Sequence, residues 1–356
     1  MSQFEANSLP VLIGSLPHRN HEEAVRLIFA YTEQIPLWPQ LPFYKEEGML
    51  LQFLPGLPGI TRQGGKTYID SSTPEFADEF LRFFEDYLAV IEGAIDLEES
   101  RFAMSPQEAA GFATFLQEAE KRQHELMALK GQLTGPITFS TGLADQDGRA
   151  LFYDEQLRDA AVKLLALRAR YQTRKMAQIK QPPLIFFDEP GLAGFGSSAF
   201  ITITPEDING CLREVYEGVR EEGGMTGVHV CANTEWSVIF ATGVDIVSFD
   251  AYSYFDKLIL FADQLVSFFD RGGILASGIV PTAPAFIEQE DSESLVRKWL
   301  TQVEQLEKIG ITRETVFRQT LITPSCGTGT VTEAQNLKVM EMTRDVSTAI
   351  RDIFLT

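Results

Sequence analysis

Short apolar segments alternate with longer amphipathic segments along most of the 356-residue chain. The short segments end at Gly, Pro, Asn or Asp, which is typical of buried parallel strands. The longer segments repeat apolar residues every three or four positions, which is typical of helices that cover a sheet. The predicted strands are residues 9–14, 37–41, 131–139, 184–187, 225–231, 244–249, 273–278 and 317–322.

The amphipathic segments predict a helix after almost every strand. Some carry clear start signals, such as Thr204 before Pro205 and two acidic residues, because a hydroxyl cap, a proline and early acids favour a helix N-terminus. The predicted helices are residues 21–34, 75–92, 106–129, 154–179, 205–222, 234–241, 255–270, 292–309 and 332–353. Strands and helices that alternate in this way predict an α/β fold, a (β/α)₈ TIM barrel formed by a single domain of residues 1–356.

One region interrupts the alternation between the second and third predicted strands. Residues 43–130 contain a stretch rich in Pro and Gly at residues 54–59, followed by two long helical patterns. An expanded loop at this position commonly covers the mouth of a barrel. We therefore expect a helical insertion after strand 2 that caps the barrel.

Composition and charge exclude several classes of partner. The chain is 44% hydrophobic, which is enough to bury a sizeable core, and 30 basic against 50 acidic side chains give a formal net charge of -20. This charge opposes binding to nucleic acids and to anionic membranes, so neither is expected as a partner. No apolar run approaches the ~20 residues of a membrane span. The N-terminus lacks a signal-peptide pattern, and three cysteines form no disulfide framework, so we expect a cytoplasmic protein.

Two separate segments carry side chains suited to binding a metal. His229 and Cys231 end the fifth predicted strand, and their i, i+2 spacing places both on one face. Cys326 follows the last predicted strand. One imidazole and two thiolates suit zinc, and three protein ligands leave a coordination position open for substrate, as in catalytic zinc sites. A His-x-Cys match also arises by chance, and a free cysteine packs well in a core, so a purely structural role stays an alternative.

The remaining polar motifs also lie where the predicted strands end. In a barrel, catalytic side chains collect at the C-terminal ends of the strands, so these motifs are expected to meet at one rim. That convergence favours the metal interpretation over core packing. The motifs are Ile13-Gly14-Ser15, Leu133-Thr134-Gly135-Pro136, Asp188-Glu189-Pro190, Ser248-Phe249-Asp250 and Ser325-Cys326-Gly327.

Taken together, these motifs resemble the catalytic domain of cobalamin-independent methionine synthase. Phe186-Phe187-Asp188-Glu189-Pro190 resembles the Asp-Glu-Pro signature of that family, and Leu133-Thr134-Gly135-Pro136 its Leu-Thr-Gly-Pro segment. Ile13-Gly14-Ser15, His229-x-Cys231 and Cys326-Gly327 match further family motifs in the same order, over residues 9–349. The resemblance implies a zinc-dependent S-methyltransferase with a single core barrel, in the superfamily that also contains uroporphyrinogen decarboxylase-like enzymes.

The resemblance also implies a role for each matched residue. The family's three nitrogen and sulfur zinc ligands correspond to His229, Cys231 and Cys326, and its glutamate ligand corresponds to Asp250, whose side chain is one methylene shorter. Ile13 and Ser15 are expected to bind the carboxylate of an amino-acid thiol, and Asp188 is expected to bind its ammonium group.

The segment after the seventh predicted strand bears on the methyl donor. The family has a histidine there that protonates the folate leaving group, whereas residues 276–281 of this chain contain none. Methyltetrahydrofolate leaves poorly without a proton, and a methyl-corrinoid does not need one. We therefore expect a methyl-corrinoid, carried by a corrinoid protein, or a methylfolate as the donor. The residues that match the family's amino-acid-binding positions make homocysteine the expected thiol acceptor. A uroporphyrinogen decarboxylase-like enzyme and a non-catalytic relative that binds zinc or thiols are the alternatives.

Overall fold

The computed structural model describes residues 4–195 and 202–355 and shows a mixed α/β protein. Its main sheet has six parallel strands that are hydrogen-bonded in sequence order. These strands are β3 (Leu129–Thr134), β4 (Pro183–Asp188), β5 (Met225–Val230), β6 (Ile246–Phe249), β7 (Ile274–Val280) and β8 (Thr320–Pro324). A separate antiparallel hairpin consists of β1 (Ile60–Gln63) and β2 (Lys66–Ile69).

The helices fall mainly between successive strands of the main sheet. The helices before β4 are α1 (His21–Tyr31), α2 (Phe76–Ile91), α3 (Ala110–Lys121), α4 (Pro136–Gly142) and α5 (Glu155–Ala177). Those that follow it are α6 (Pro205–Arg220), α7 (Trp236–Ala241), α8 (Ala251–Leu258), α9 (Ala262–Asp270), α10 (Pro284–Gln289), α11 (Ser292–Lys308), α12 (Arg313–Arg318) and α13 (Glu333–Leu355). Thr204 and Asp207 form a capping box at the start of α6, as the sequence predicts.

The strands of the main sheet are covered on both faces. Every residue of β3 and of β7 is buried, which is typical of a parallel sheet enclosed by helices. The apolar stripe of α6 includes Leu212 and Val215, and both lie in the principal core with strand residues such as Phe187. The strands that carry the candidate site residues at their ends are therefore part of the packed core of the protein.

Six of the predicted strands correspond to β3–β8, and two of their predicted boundaries are wrong by three residues or more. The prediction for residues 131–139 is wrong beyond Thr134, because Pro136 begins α4 at its first turn, where proline is favoured. The prediction for residues 317–322 begins too early, since Phe317 belongs to α12 and β8 starts at Thr320.

The first two predicted strands form isolated bridges and no regular ladder. Pro10 pairs with Ile322 of β8, Ser15 pairs with Gln40, and Leu37 pairs with Lys130 of β3, all in parallel. Prolines at positions 10, 36, 39 and 42 remove backbone N–H donors, which explains why these segments do not form continuous strands. The three bridges nevertheless place both segments between β8 and β3.

The insertion at residues 43–130 is more varied than predicted. It contains α2 and α3, but α3 begins at Ala110 instead of residue 106, and the β1–β2 hairpin was not predicted. The insertion touches the C-terminal edge of the sheet, where Thr134 Oγ1 donates to the carbonyl of Met49 at 2.6 Å. The assignment of residues 1–356 to a single domain stays a prediction.

Across the described residues, we find no helix with the length and apolar character needed to cross a bilayer. The cytoplasmic location stays a prediction.

Candidate metal centre

The structure brings the three predicted nitrogen and sulfur ligands together. His229 lies near the end of β5, Cys231 directly follows that strand, and Cys326 follows β8. One ligand atom from each residue lies within 4.8 Å of the others. Two sulfurs bound to one tetrahedral zinc are roughly 3.8 Å apart, so this spacing fits a metal after small side-chain adjustments. Their role as ligands stays a prediction.

The imidazole of His229 is oriented for coordination. Its Nδ1 lies 2.9 Å from Ser248 Oγ, on the neighbouring strand β6. Its Nε2 is buried and has no hydrogen-bond partner among the described residues. When Nδ1–H donates to Ser248, Nε2 presents a free lone pair, which is how a metal-binding histidine is usually held. A buried orphan nitrogen is costly, and a metal ion at this position would satisfy it.

The pKa values of the two cysteines in the cluster are shifted in opposite directions. The contact with the Cys326 thiol and the nearby His229 imidazole lower the pKa of Cys231 to about 4. The same contact with Cys231, together with burial, raises the pKa of Cys326. These shifts favour the thiolate form of Cys231, with the Cys326 thiol donating a hydrogen bond to it. A cation that displaced the Cys326 proton would be bound by two thiolates.

Asp188 lies beside the cluster at the end of β4. It is the register partner of His229 on β5, and its Oδ1 has no hydrogen-bond partner among the described residues. Burial raises the pKa of Asp188, and its electrostatic interactions with His229 and Lys130 oppose that rise. An unpartnered carboxylate oxygen beside a candidate metal centre is able to accept a hydrogen bond from a cationic ligand.

Ser15 packs directly against the loop that carries Cys326. The backbone N–H of Thr328 donates to the Ser15 carbonyl at 2.9 Å, and that of Gly329 donates to Ser15 Oγ at 3.3 Å. A Cβ atom on Gly327 would overlap Ser15 Oγ, so this close approach requires glycine. The first segment and the last strand thus meet beside Cys326. Ile13, two residues earlier, turns its carbonyl towards Lys130.

Lys130 is a functional candidate that the sequence interpretation missed. Its side chain is fully buried, its Nζ donates to the Ile13 carbonyl, and the ammonium lies 4.4 Å from the centroid of the Phe186 ring. Burial lowers the pKa of Lys130 to about 7, although the charge of Asp188 opposes this shift. A lysine directly after the apolar run at residues 126–129 was the available signal.

We expect the stability contributed by Lys130 to rise with pH. Between pH 7 and 10.5 the unfolded chain keeps the lysine proton and the folded chain loses it, so the free energy of unfolding increases as pH rises. Urea unfolding of the wild type and of Lys130→Met should show the wild type gaining about 2 kcal/mol relative to the variant from pH 7 to pH 9. A difference between the two proteins that does not change with pH would contradict this expectation.

Asp250 is not a member of the cluster formed by His229, Cys231 and Cys326. It directly follows β6 and caps α8, where its Oδ1 accepts a hydrogen bond from the backbone N–H of Ser253 at 2.8 Å. Burial raises the pKa of Asp250, and the nearby charge of Cys231 adds to the rise. To act as a fourth metal ligand, the Asp250 carboxylate would have to weaken its hydrogen bond to the N-terminus of α8. Its assignment as a ligand stays a prediction.

The Asp-Glu-Pro and Leu-Thr-Gly-Pro motifs interlock through Glu189. The buried Glu189 carboxylate accepts hydrogen bonds from the backbone N–H groups of Ile137 and Thr138, at 2.8 and 2.7 Å, and from Thr138 Oγ1 at 2.6 Å. Burial raises the pKa of Glu189 to about 7, and these donors limit the rise. Glu189 thus binds the start of α4, while its neighbour Asp188 faces the cluster.

Gly135 allows this contact, and its replacement by alanine should destabilise the protein. A Cβ atom at position 135 would overlap the Glu189 carboxylate. We expect Gly135→Ala to lower the free energy of unfolding by about 1–3 kcal/mol, measured by urea denaturation. Gly210→Ala is the matched control, because Gly210 lies within α6 and no atom of residues 4–195 or 202–355 is within 4 Å of a Cβ added there. The control should be stabilised by up to about 1 kcal/mol, and equal effects of the two changes would contradict the interpretation.

Comparison with known proteins shows a shared fold. No family model matches the sequence, and no curated protein matches it. A methyltransferase from Methanosarcina mazei is similar over 96% of this chain and 87% of its own, with a TM-score of 0.53 and 14% identity. A B12-independent methionine synthase from Shewanella sp. W3-18-1 is similar over 68% of this chain and 67% of its own, with a TM-score of 0.46 and 17% identity.

A third similar structure belongs to a different class of enzyme. It contains a GH20 catalytic module of a pneumococcal exo-β-D-N-acetylglucosaminidase and is similar over 96% of this chain and 85% of its own, with a TM-score of 0.46 and 10% identity. The likeness to the Methanosarcina protein shows that the two chains share a fold. Function has to be inferred from the site itself.

Proposed function

We propose that this protein is a zinc-dependent methyltransferase that moves a methyl group to a small thiol, with homocysteine as the acceptor and methionine as the product. One observation carries the proposal: an imidazole and two thiols meet within 4.8 Å at the C-terminal edge of a parallel sheet, and the imidazole Nε2 has no hydrogen-bond partner in the described part of the chain. Chemistry in this class of fold is concentrated at that edge.

We propose that two further segments close the main sheet into the barrel predicted from the sequence. The main sheet has six strands, and we infer that residues 9–14 and 37–41 close it as short, proline-interrupted strands. The bridges Pro10–Ile322, Ser15–Gln40 and Leu37–Lys130 support closure, because they join β8 to β3 through both segments. The fold shared with the Methanosarcina methyltransferase is consistent with this activity.

In this proposal His229, Cys231 and Cys326 hold the metal. Bound zinc would keep a coordinated thiol deprotonated at neutral pH, whereas a free alkyl thiol with a pKa near ~8.5 is mostly protonated. Two thiolate ligands offset the charge of the metal and leave the substrate sulfur electron-rich. Asp250 is the candidate for a fourth ligand that substrate displaces.

The surrounding residues would orient an amino-acid thiol. Asp188, with its unpartnered Oδ1, would accept hydrogen bonds from the substrate ammonium. Ser15, beside the Cys326 loop, would donate its hydroxyl to the substrate carboxylate. Lys130 would support this contact, because its Nζ fixes the carbonyl of Ile13 at the start of the same segment. Substrate sulfur and methyl donor would then be held in line, which lowers the entropic cost of displacement.

The methyl donor is proposed to be a methyl-corrinoid on a partner protein, with a methylfolate as the alternative. The sulfur–carbon bond forms as the cobalt–carbon bond breaks, and the electron pair of that bond stays on cobalt, so the donor leaves as a cob(I)alamin without a proton. Residues 276–281, which span the end of β7, offer no histidine that could protonate a folate.

A turnover assay tests the activity and the donor together. Purified zinc-loaded protein with homocysteine and methylcobalamin should produce methionine and cob(I)alamin, and methyltetrahydrofolate should be a much slower donor. Comparable rates from the two donors would contradict the choice of donor. Zinc-loaded protein that transfers no methyl group from either donor would contradict the proposed activity and would favour a relative that only binds zinc or thiols.

A further inference from the structure

A large cavity lies in the insertion, apart from the candidate metal centre. Its volume is about 940 Å³, and it is bounded by the β1–β2 hairpin, the segments at residues 45–55 and 98–108, and α5. None of its lining residues belongs to the cluster of His229, Cys231 and Cys326. Its size matches that of cavities that hold small organic ligands.

The walls of this cavity are positively charged, in contrast with the rest of the chain. Five cationic side chains and three carboxylates line it, an excess of two positive charges in a protein whose net charge is -20. Arg101 is paired with Asp86. Lys45, Arg62 and Lys66 form no ion pair within the part of the chain that the structure describes. Unpaired cations gathered around a cavity attract an anion.

Arg168 supplies a second, independent sign of a ligand. Its side chain is 1% exposed, and its two terminal nitrogens bind the Gln52 and Pro55 carbonyls and the Glu108 carboxylate. Its Nε is buried and has no acceptor among the described residues. Arg168 is one of the residues that line the cavity, so an anionic ligand bound there would lie beside a donor that lacks an acceptor among those residues.

The cavity also has an apolar part. Leu51, Pro55, Met104 and the ring of Tyr171 contribute to its walls. Ligand cavities typically combine such surfaces with a few polar groups that fix orientation. We propose that this cavity binds a small amphipathic anion, with an aromatic or aliphatic body against the apolar wall and a carboxylate, sulfonate or phosphate group towards Arg62, Lys66 and Arg168.

A pair of fluorescent probes tests the proposal without knowledge of the natural ligand. 8-Anilinonaphthalene-1-sulfonate carries an aromatic body and one anionic group, and N-phenyl-1-naphthylamine is the same body without the charge. The test variant is Arg62→Gln/Lys66→Gln, which changes two exposed hairpin residues. The matched control is Lys121→Gln/Arg297→Gln, which removes the same charge from exposed positions on α3 and α11.

The expected result is one saturable sulfonate site per chain in the wild type. Binding of the sulfonate probe should weaken about tenfold in Arg62→Gln/Lys66→Gln and stay within about twofold in the control, while binding of the neutral probe stays unchanged in both. Sulfonate binding that is equally strong in the test variant, or that weakens equally in both variants, would overturn the proposal.

Discussion

Replacing Cys326 by serine is expected to remove the bound metal and abolish methyl transfer while the chain stays folded. The serine hydroxyl is a poor zinc ligand, and only His229, Cys231 and the candidate ligand Asp250 would remain to bind the ion. Changes to residues that only support a metal ligand cost about 10–100-fold in affinity, so loss of a ligand should exceed about 100-fold. The measurements are zinc content after dialysis, zinc affinity by chelator competition, and turnover.

The third cysteine of the chain provides a matched control. Cys211 is buried in the core on α6, outside the cluster, and burial raises its pKa to about 12, so it stays a neutral thiol. Cys211→Ser should lower the stability slightly and leave zinc content and turnover intact. If Cys326→Ser keeps a full equivalent of zinc, or if both variants lose it equally, Cys326 is not a ligand.

Replacing Asp188 by asparagine is expected to reduce kcat/KM for homocysteine by about 30–5000-fold. Asparagine keeps the shape of the side chain and removes the negative charge that would face the substrate ammonium. Truncating one partner of a buried, hydrogen-bonded charge pair typically costs about 2–5 kcal/mol, which sets this range. Zinc content should be unchanged, because Asp188 lies outside the group of candidate ligands.

A substrate analogue without an amino group provides the control for the Asp188→Asn prediction. 4-Mercaptobutanoate is homocysteine without the amino group, so it has no charge for Asp188 to recognise. The wild type should use it poorly, and Asp188→Asn should use it within about threefold of the wild-type rate, which isolates the pairwise interaction. An equal loss with both thiols would show that Asp188 acts on His229, its neighbour in the sheet, and not on the substrate ammonium.

Strand alternation and the parallel order of the strands predicted the grouping of the three candidate metal ligands. Strand alternation placed His229 and Cys231 on one face, and the parallel sheet brought Cys326 to the same edge from almost a hundred residues away. The same rules failed at residues 9–14 and 37–41, where prolines leave only isolated bridges. The hairpin β1–β2 was also missed, although Gly64-Gly65 between two short extended segments is a turn signal.

Features that depend on distant partners could not be predicted from the sequence. Lys130 is buried because the Ile13 carbonyl and the Phe186 ring surround its ammonium, and neither contact is visible from its own strand. Asp250 stands both at the end of a strand and at the start of a helix, so the sequence allows it to be a ligand or a cap. The hydrogen bonds of Glu189 to the start of α4 join residues 52 and 51 positions apart in the chain, so its role could be found only from the fold.

X-ray absorption at the zinc edge, with and without homocysteine, tests the central claim most directly. The purified protein should contain one zinc with two sulfur neighbours near ~2.3 Å and one nitrogen near ~2.0 Å, plus a light fourth ligand. Homocysteine should replace that light atom with a third sulfur. A spectrum without sulfur neighbours, or one that homocysteine leaves unchanged, would contradict a thiol-activating zinc at His229, Cys231 and Cys326.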